Sequence, residues 1–120
     1  MKKMTPQELE DRLVDFASRI IDLVEALPKG SIARHLGGQL LRSGTSPALN
    51  YGEARGAESP SDFTHKLRIC LKELRETFIC MRIIAKRTWF SSDKLNLLMK
   101  ETNELISIFV SSIRTHSKKS

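Results

Sequence analysis

The sequence predicts an all-α protein, a single domain folded as an antiparallel up-down four-helix bundle. Two observations predict it. Apolar residues recur at intervals of three and four along four separate stretches, the pattern of helices that each bury one face. Only a few residues join one stretch to the next, so consecutive helices must turn back on each other. The expected helices cover about 6–27, 31–57, 60–87 and 92–115 of the 120 residues, with a frayed basic tail at 116–120.

The first helix opens with Thr5-Pro6-Gln7-Glu8. Thr5 is placed to cap, Pro6 suits the first helical position, and Glu8 completes a capping box. Leu9, Leu13, Phe16, Ile20, Val24 and Leu27 then mark one face, and Pro28-Lys29-Gly30 ends it. A second helix starts at Ser31 with Ile32, Leu36 and Leu40 on one face. Pro47 falls within it, removing one backbone hydrogen bond and pressing on the preceding turn. Helical spacing resumes at Asn50, Glu53, Ala54 and Ala57, which favours one long helix kinked near Pro47 over two separate ones.

Ser59-Pro60-Ser61-Asp62 repeats the start signal, with an acid facing the positive end of the helix dipole. The third stripe is Phe63, Leu67, Cys70, Leu74, Phe78 and Met81. The fourth helix begins at Ser91 or Ser92 and turns Leu95, Leu98, Thr102, Leu105, Phe109 and Ile113 inward. Cys70 and Cys80 are separated by about 15 Å of helix, out of reach of a disulfide, and read as buried thiols of a reducing compartment. Val14, Ile21, Leu23, Leu97 and Ile108 lie beside the main stripes and favour self-association.

Catalytic signatures are missing. The three histidines, His35, His65 and His116, stand in distant regions with no His-x-x-x-His or Glu-x-x-His pair. There is no CxxC, Walker loop or dinucleotide fingerprint. The sequence therefore predicts no enzyme, no cofactor and no metal. With no signal-peptide core and no run of the roughly 20 apolar residues that a span requires, it predicts a cytoplasmic protein without membrane contact.

Charge is more informative. Lys and Arg total 20 against 14 Asp and Glu, a net +6 that attracts polyanions. Residues 60–87 carry seven of the bases and three acids. Arg68, Lys72, Arg75, Arg82 and Lys86, spaced four, three, seven and four apart, line one flank of the third helix. They are the expected phosphate contacts, with Arg87 and the Lys118-Lys119 tail assisting. A solvated face, or arginines meeting the acids of the first helix in a neighbouring subunit, is the alternative. A second cluster comprises Gln39, Arg42, Ser43, Thr45, Ser46, Asn50 and Glu53 on the second helix. Arg42 with Glu53, or an arginine with Glu76, is expected to form a polar network that fixes helix register.

The stretch Gln39-Leu40-Leu41-Arg42-Ser43-Gly44-Thr45-Ser46-Pro47-Ala48-Leu49-Asn50-Tyr51-Gly52-Glu53-Ala54 carries a resemblance to a known family, together with Ser59-Pro60-Ser61-Asp62-Phe63 and Leu71-Lys72-Glu73-Leu74-Arg75-Glu76-Thr77. It resembles the bacterial four-helix-bundle proteins linked to 23S ribosomal RNA intervening sequences. The resemblance implies an antiparallel bundle assembled as a homopentamer, with Pro47 inside a long second helix. It also implies Arg42, Ser46, Asn50, Glu53 and Glu76 as the family's polar positions. A related branch, the accessory proteins of diversity-generating retroelements, implies RNA or a ribonucleoprotein containing a reverse transcriptase as partner.

Overall fold

A computed structural model describes residues 4–117. Four helices run α1 (Pro6–Glu25), α2 (Ser31–Arg55), α3 (Pro60–Ala85) and α4 (Ser92–Ser117). They form a bundle of 46 × 30 × 20 Å. Each helix packs on its neighbour in sequence, most extensively α2 on α3, while α1 and α4 touch only slightly.

The helix starts follow their local chemistry. At α1, Glu8 N–H donates to Thr5 Oγ1 and Thr5 N–H donates to Glu8 Oε1, each at 3.1 Å. Ser59 Oγ accepts from Asp62 N–H at 3.0 Å to open α3, with Pro60 in the first turn. At α2 the chain enters through Gly30 at φ 135°, a conformation that suits glycine, and no side chain caps the helix.

Three helices end two residues earlier than the periodicity predicts. Leu27, Ala57 and Arg87 donate back three residues, to Val24, Ala54 and Ile84, at 3.0–3.2 Å. These are tightened final turns, which satisfy carbonyls that a regular helix leaves open. Side-chain spacing barely registers that change. After α3, Thr88 takes φ 57° and turns the chain away. At the other terminus α4 outruns its expected end: His116 lies within the helix, and its Nδ1 sits 2.7 Å from the Ser112 carbonyl oxygen.

The buried positions alternate at three and four residues in every helix. They are Leu9, Leu13, Phe16 and Ile20 in α1, and Leu67, Cys70, Leu74, Thr77, Met81 and Ile84 in α3. Leu95, Leu98, Thr102, Leu105 and Phe109 supply α4. That 3.5-residue period is the one that interlocks side chains in coiled coils. On α2 the inward row is Ala33, Gly37, Leu40, Gly44, Pro47, Tyr51 and Ala54, dominated by small residues. Ile32, expected inside, is exposed, and Leu36 is half-buried. The small row lets α1 come close: a Cβ added at Gly44 would lie 2.7 Å from Ile20 Cγ2.

α2 passes through the buried Pro47 as one continuous helix. The polar residues around it bind their own helix. Thr45 Oγ1 donates to the Leu41 carbonyl at 2.7 Å, and Asn50 Nδ2 donates to the Ser46 carbonyl and hydroxyl at 3.0 and 2.8 Å. Such local bonds satisfy side chains that a plain apolar bundle would have to do without. Both cysteines are free and buried, Cys70 Sγ lying 3.5 Å from the Pro47 carbonyl oxygen. Burial pushes the Cys70 thiol up to about 12.

Candidate nucleic-acid interface

The outward face of α3 carries Arg68, Lys72, Arg75, Arg82 and Lys86, all exposed. At 1.5 Å per residue the row extends about 27 Å, roughly two thirds of the length of α3, and ends on its C-cap residue Lys86. Among the described residues, Lys72, Arg75, Arg82 and Lys86 make no ion pair. Arg68 donates to Ser117 Oγ at 3.1 Å. Arg87 stands round the helix from the row, its guanidinium 5.9 Å from the centroid of the Trp89 ring. Lys118 and Lys119 lie outside the described residues.

The row stays uncompensated because the acids of α3 are drawn elsewhere. Glu73 and Glu76 turn toward α2, where Arg42 Nη1 pairs with Glu73 at 3.2 Å and Arg42 Nη2 pairs with Glu76. The hydrogen bond that Arg42 donates to Glu76, then the charges of both acids, raise the Arg42 pKa above its ordinary value. Asp62 stays in the first turn of α3.

The polar positions therefore divide into three separate groups. Arg42 and Glu76 meet, with Glu73 as a third member that sequence reasoning left out. Ser46 and Asn50 pair within α2. Glu53 does not reach Arg42 and instead takes Lys66 Nζ at 3.0 Å. The hydrogen bond to Glu53 raises the Lys66 pKa and keeps that ammonium charged. These groups sit at the α2–α3 surface, Arg42 being 54% exposed. The buried polar contact between these helices is a different one: the Thr77 and Ser43 hydroxyls lie 2.9 Å apart.

Two isoleucines interrupt the basic row. Ile79 and Ile83 are 48% and 46% exposed beside Arg75 and Arg82. Spacing alone places Ile79 there, four residues after Arg75 and seven before Lys86. On α1, Val14 and Ile21 are exposed among Asp15, Asp22 and Glu25. Elsewhere on α1, Arg12 forks onto Glu101 of α4 with two bonds of 2.7 Å, and Glu10 pairs with Arg55 of α2 at 3.2 Å, while Arg19 is exposed with no ion pair among the described residues. Among the described residues no group of three His, Cys, Asp or Glu side chains stands close enough to hold a metal. None of the helices there is long and apolar enough to cross a membrane.

A small all-α bundle with one long unpaired basic face is the class that fold and surface define. Residues 8–111 match the model of the 23S rRNA-intervening sequence protein family. The chain belongs to that family. Its fold is also that of a crystal structure from Bacteroides thetaiotaomicron, described as a protein of unknown function from the S23 ribosomal protein family. The two are 30% identical with a TM-score of 0.81, over 88% of this chain and 97% of the other. No curated protein matches the sequence.

Proposed function

We propose that this protein is a non-enzymatic, homo-oligomeric cytoplasmic bundle that binds RNA or a ribonucleoprotein electrostatically through the outward face of α3. The observation that carries the reading is the row Arg68, Lys72, Arg75, Arg82 and Lys86, none of whose five cations has an acidic partner among the described residues. Unpaired cations on a rigid helix gain most by neutralising phosphates and releasing their counterions. A pentamer is the assembly that the resemblance to the family implies. A reverse transcriptase with its RNA is the ribonucleoprotein implied by the retroelement accessory branch.

The test is RNA binding by nuclease-treated protein purified at high salt, titrated across salt concentration. Five phosphate contacts predict a slope of roughly −4 in log affinity against log salt. The combined reversal Lys72→Glu, Arg75→Glu and Arg82→Glu abolishes binding while helicity and assembly persist. Lack of binding at low salt overturns the reading.

Ile79 and Ile83 favour a second reading, a protein adaptor without nucleic-acid contact. Phosphates gain nothing from exposed aliphatic side chains. An acidic helix carrying its own aliphatics, as α1 does with Val14 and Ile21 among Asp15, Asp22 and Glu25, complements both the charge and the apolar area of this face. On this reading the same reversals lower the oligomer mass in light scattering and leave nothing to measure with RNA.

A further inference from the structure

At the end of the bundle away from the α3–α4 joint, a cleft of about 650 Å³ opens between the start of α1, the end of α2, the start of α3 and the end of α4. Its size lies in the range of small-molecule sites. Tyr51, Arg55, Phe63 and His116 line it, with prolines, alanines, Glu58 and Ser59 completing the wall. Tyr51 is 5% exposed and edge-on to Phe109, and its hydroxyl makes no hydrogen bond with any described residue. Among the described residues no buried polar side-chain atom lacks a partner, so this hydroxyl opens onto the cleft and is free to bond a bound group.

The neighbouring groups define the ligand's chemistry. Arg55 commits Nη1 to Gln7 and Glu10 at 3.0 and 3.2 Å, leaving its other N–H groups as donors. His116 Nδ1 lies 2.7 Å from the Ser112 carbonyl oxygen, a contact that suits the tautomer with its proton on Nδ1 and Nε2 left as an acceptor. The His116 and Phe63 rings meet edge-to-face with centroids 4.9 Å apart. Glu10 offsets Arg55 and Glu58 lies on the lip, while two helix N-termini face two C-termini, so the described lining offers an anion no surplus positive charge.

We propose that this cleft binds a planar, uncharged nitrogen heterocycle of the nucleobase kind, whose edge pairs with Tyr51 and Arg55 and whose face meets the Phe63 and His116 rings. Two sources offer that chemistry, a free nucleoside and an unpaired base of RNA. The second source rests on the basic-face reading. It is within reach of that face, because Arg68, the first cation of the row, contacts Ser117 beside His116.

Tyr51 is the chain's single tyrosine, so its ring resonances report on the cleft without ambiguity. Titration with adenosine is expected to shift the Tyr51 and His116 ring signals saturably, while cyclohexanol does not. Tyr51→Phe keeps the melting temperature, since the hydroxyl it removes has no partner, and weakens adenosine about fivefold as read at His116. Arg75→Glu with Arg82→Glu leaves adenosine binding unchanged. Absence of a saturable shift, equal shifts with cyclohexanol, or unchanged affinity in Tyr51→Phe overturns the proposal.

An RNA hairpin with one bulged adenosine and its fully paired counterpart distinguish the sources. Tighter binding of the bulged form, erased by Tyr51→Phe, assigns the cleft to RNA. Equal binding of the two hairpins alongside saturable adenosine binding assigns it to a free nucleoside. Adenosine binding without any RNA binding overturns the basic-face reading alone, and RNA binding without adenosine binding overturns the cleft alone.

Discussion

Gly44→Ala is the perturbation that tests the packing of α1 on α2 most directly. The added Cβ would stand 2.7 Å from Ile20 Cγ2, 2.8 Å from Cγ1 and 3.1 Å from Cβ. All three are shorter than the roughly 3.5–4.0 Å of a favourable carbon contact. Ile20 is fully buried, and a β-branched side chain in a helix has one strongly preferred χ1, so it cannot swing aside. The helices must separate instead, at a cost of up to about 3 kcal/mol for overpacking. Alanine regains about 1 kcal/mol of helix propensity over glycine, leaving a net loss of about 2 kcal/mol. Gly38 is the control, because a Cβ there meets nothing within 4 Å. Gly38→Ala should therefore gain up to about 1 kcal/mol. By thermal melting, the two variants should move apart, roughly 8 °C down for Gly44→Ala and 4 °C up for Gly38→Ala. Combining Gly44→Ala with Ile20→Ala removes the two nearest carbons, Cγ2 and Cγ1, and should cancel most of the penalty. If Gly44→Ala melts above the wild type, or its penalty survives undiminished in the Ile20→Ala background, the close approach is not what glycine is there for.

Three further outcomes follow from features elsewhere. Ser59→Ala deprives the Asp62 amide of its acceptor and should cost about 1 kcal/mol in urea unfolding, with an unchanged m-value. Thr77→Val strands the buried Ser43 hydroxyl and should cost about 1–3 kcal/mol, part of which Ser43→Ala restores in the double variant. Cys70 ionises near 12 when folded and near its ordinary 9.0 when unfolded, so above pH 9 the unfolded chain binds fewer protons. Stability contributed by this thiol is complete below pH 9 and should fall as pH climbs from 9 toward 12, a trend that Cys70→Ala should reduce in alkaline unfolding titrations, leaving the part due to the raised pKa values of Cys80 and Tyr51.

Much of the fold was legible because its signals are local. Thr5-Pro6-Gln7-Glu8 and Ser59-Pro60-Ser61-Asp62 make in the structure the caps that their chemistry predicts. The buried stripes of α1, α3 and α4 are apolar apart from Thr64, Thr77 and Thr102. α2 misled because its inward row holds Gly37, Gly44 and alanines, while the exposed Ile32 carries the apolar signal. Burial there follows from how near α1 must come, which hydropathy does not encode. The basic row was readable from spacing, since one helix supplies all of it. The partners of Arg42 and Glu53 were only partly readable, because they depend on the register between two helices. The Tyr51 cleft was invisible, being assembled from four helix ends that the sequence keeps far apart.

The unequal seams have a consequence for how the molecule breathes. α2 and α3 share the broadest contact, whereas α1 and α4 meet only slightly and are tied by the Arg12 fork onto Glu101. The bundle behaves as a folder with α2 and α3 as its spine and α1 and α4 as its covers. Local opening starts where the fewest apolar contacts must be given up, so the covers part first. Amide hydrogens of α1 and α4 should then exchange in a faster class than those of α2 and α3. Arg12→Ala, which removes the clasp, should speed the covers while leaving the spine's slowest amides near the global limit.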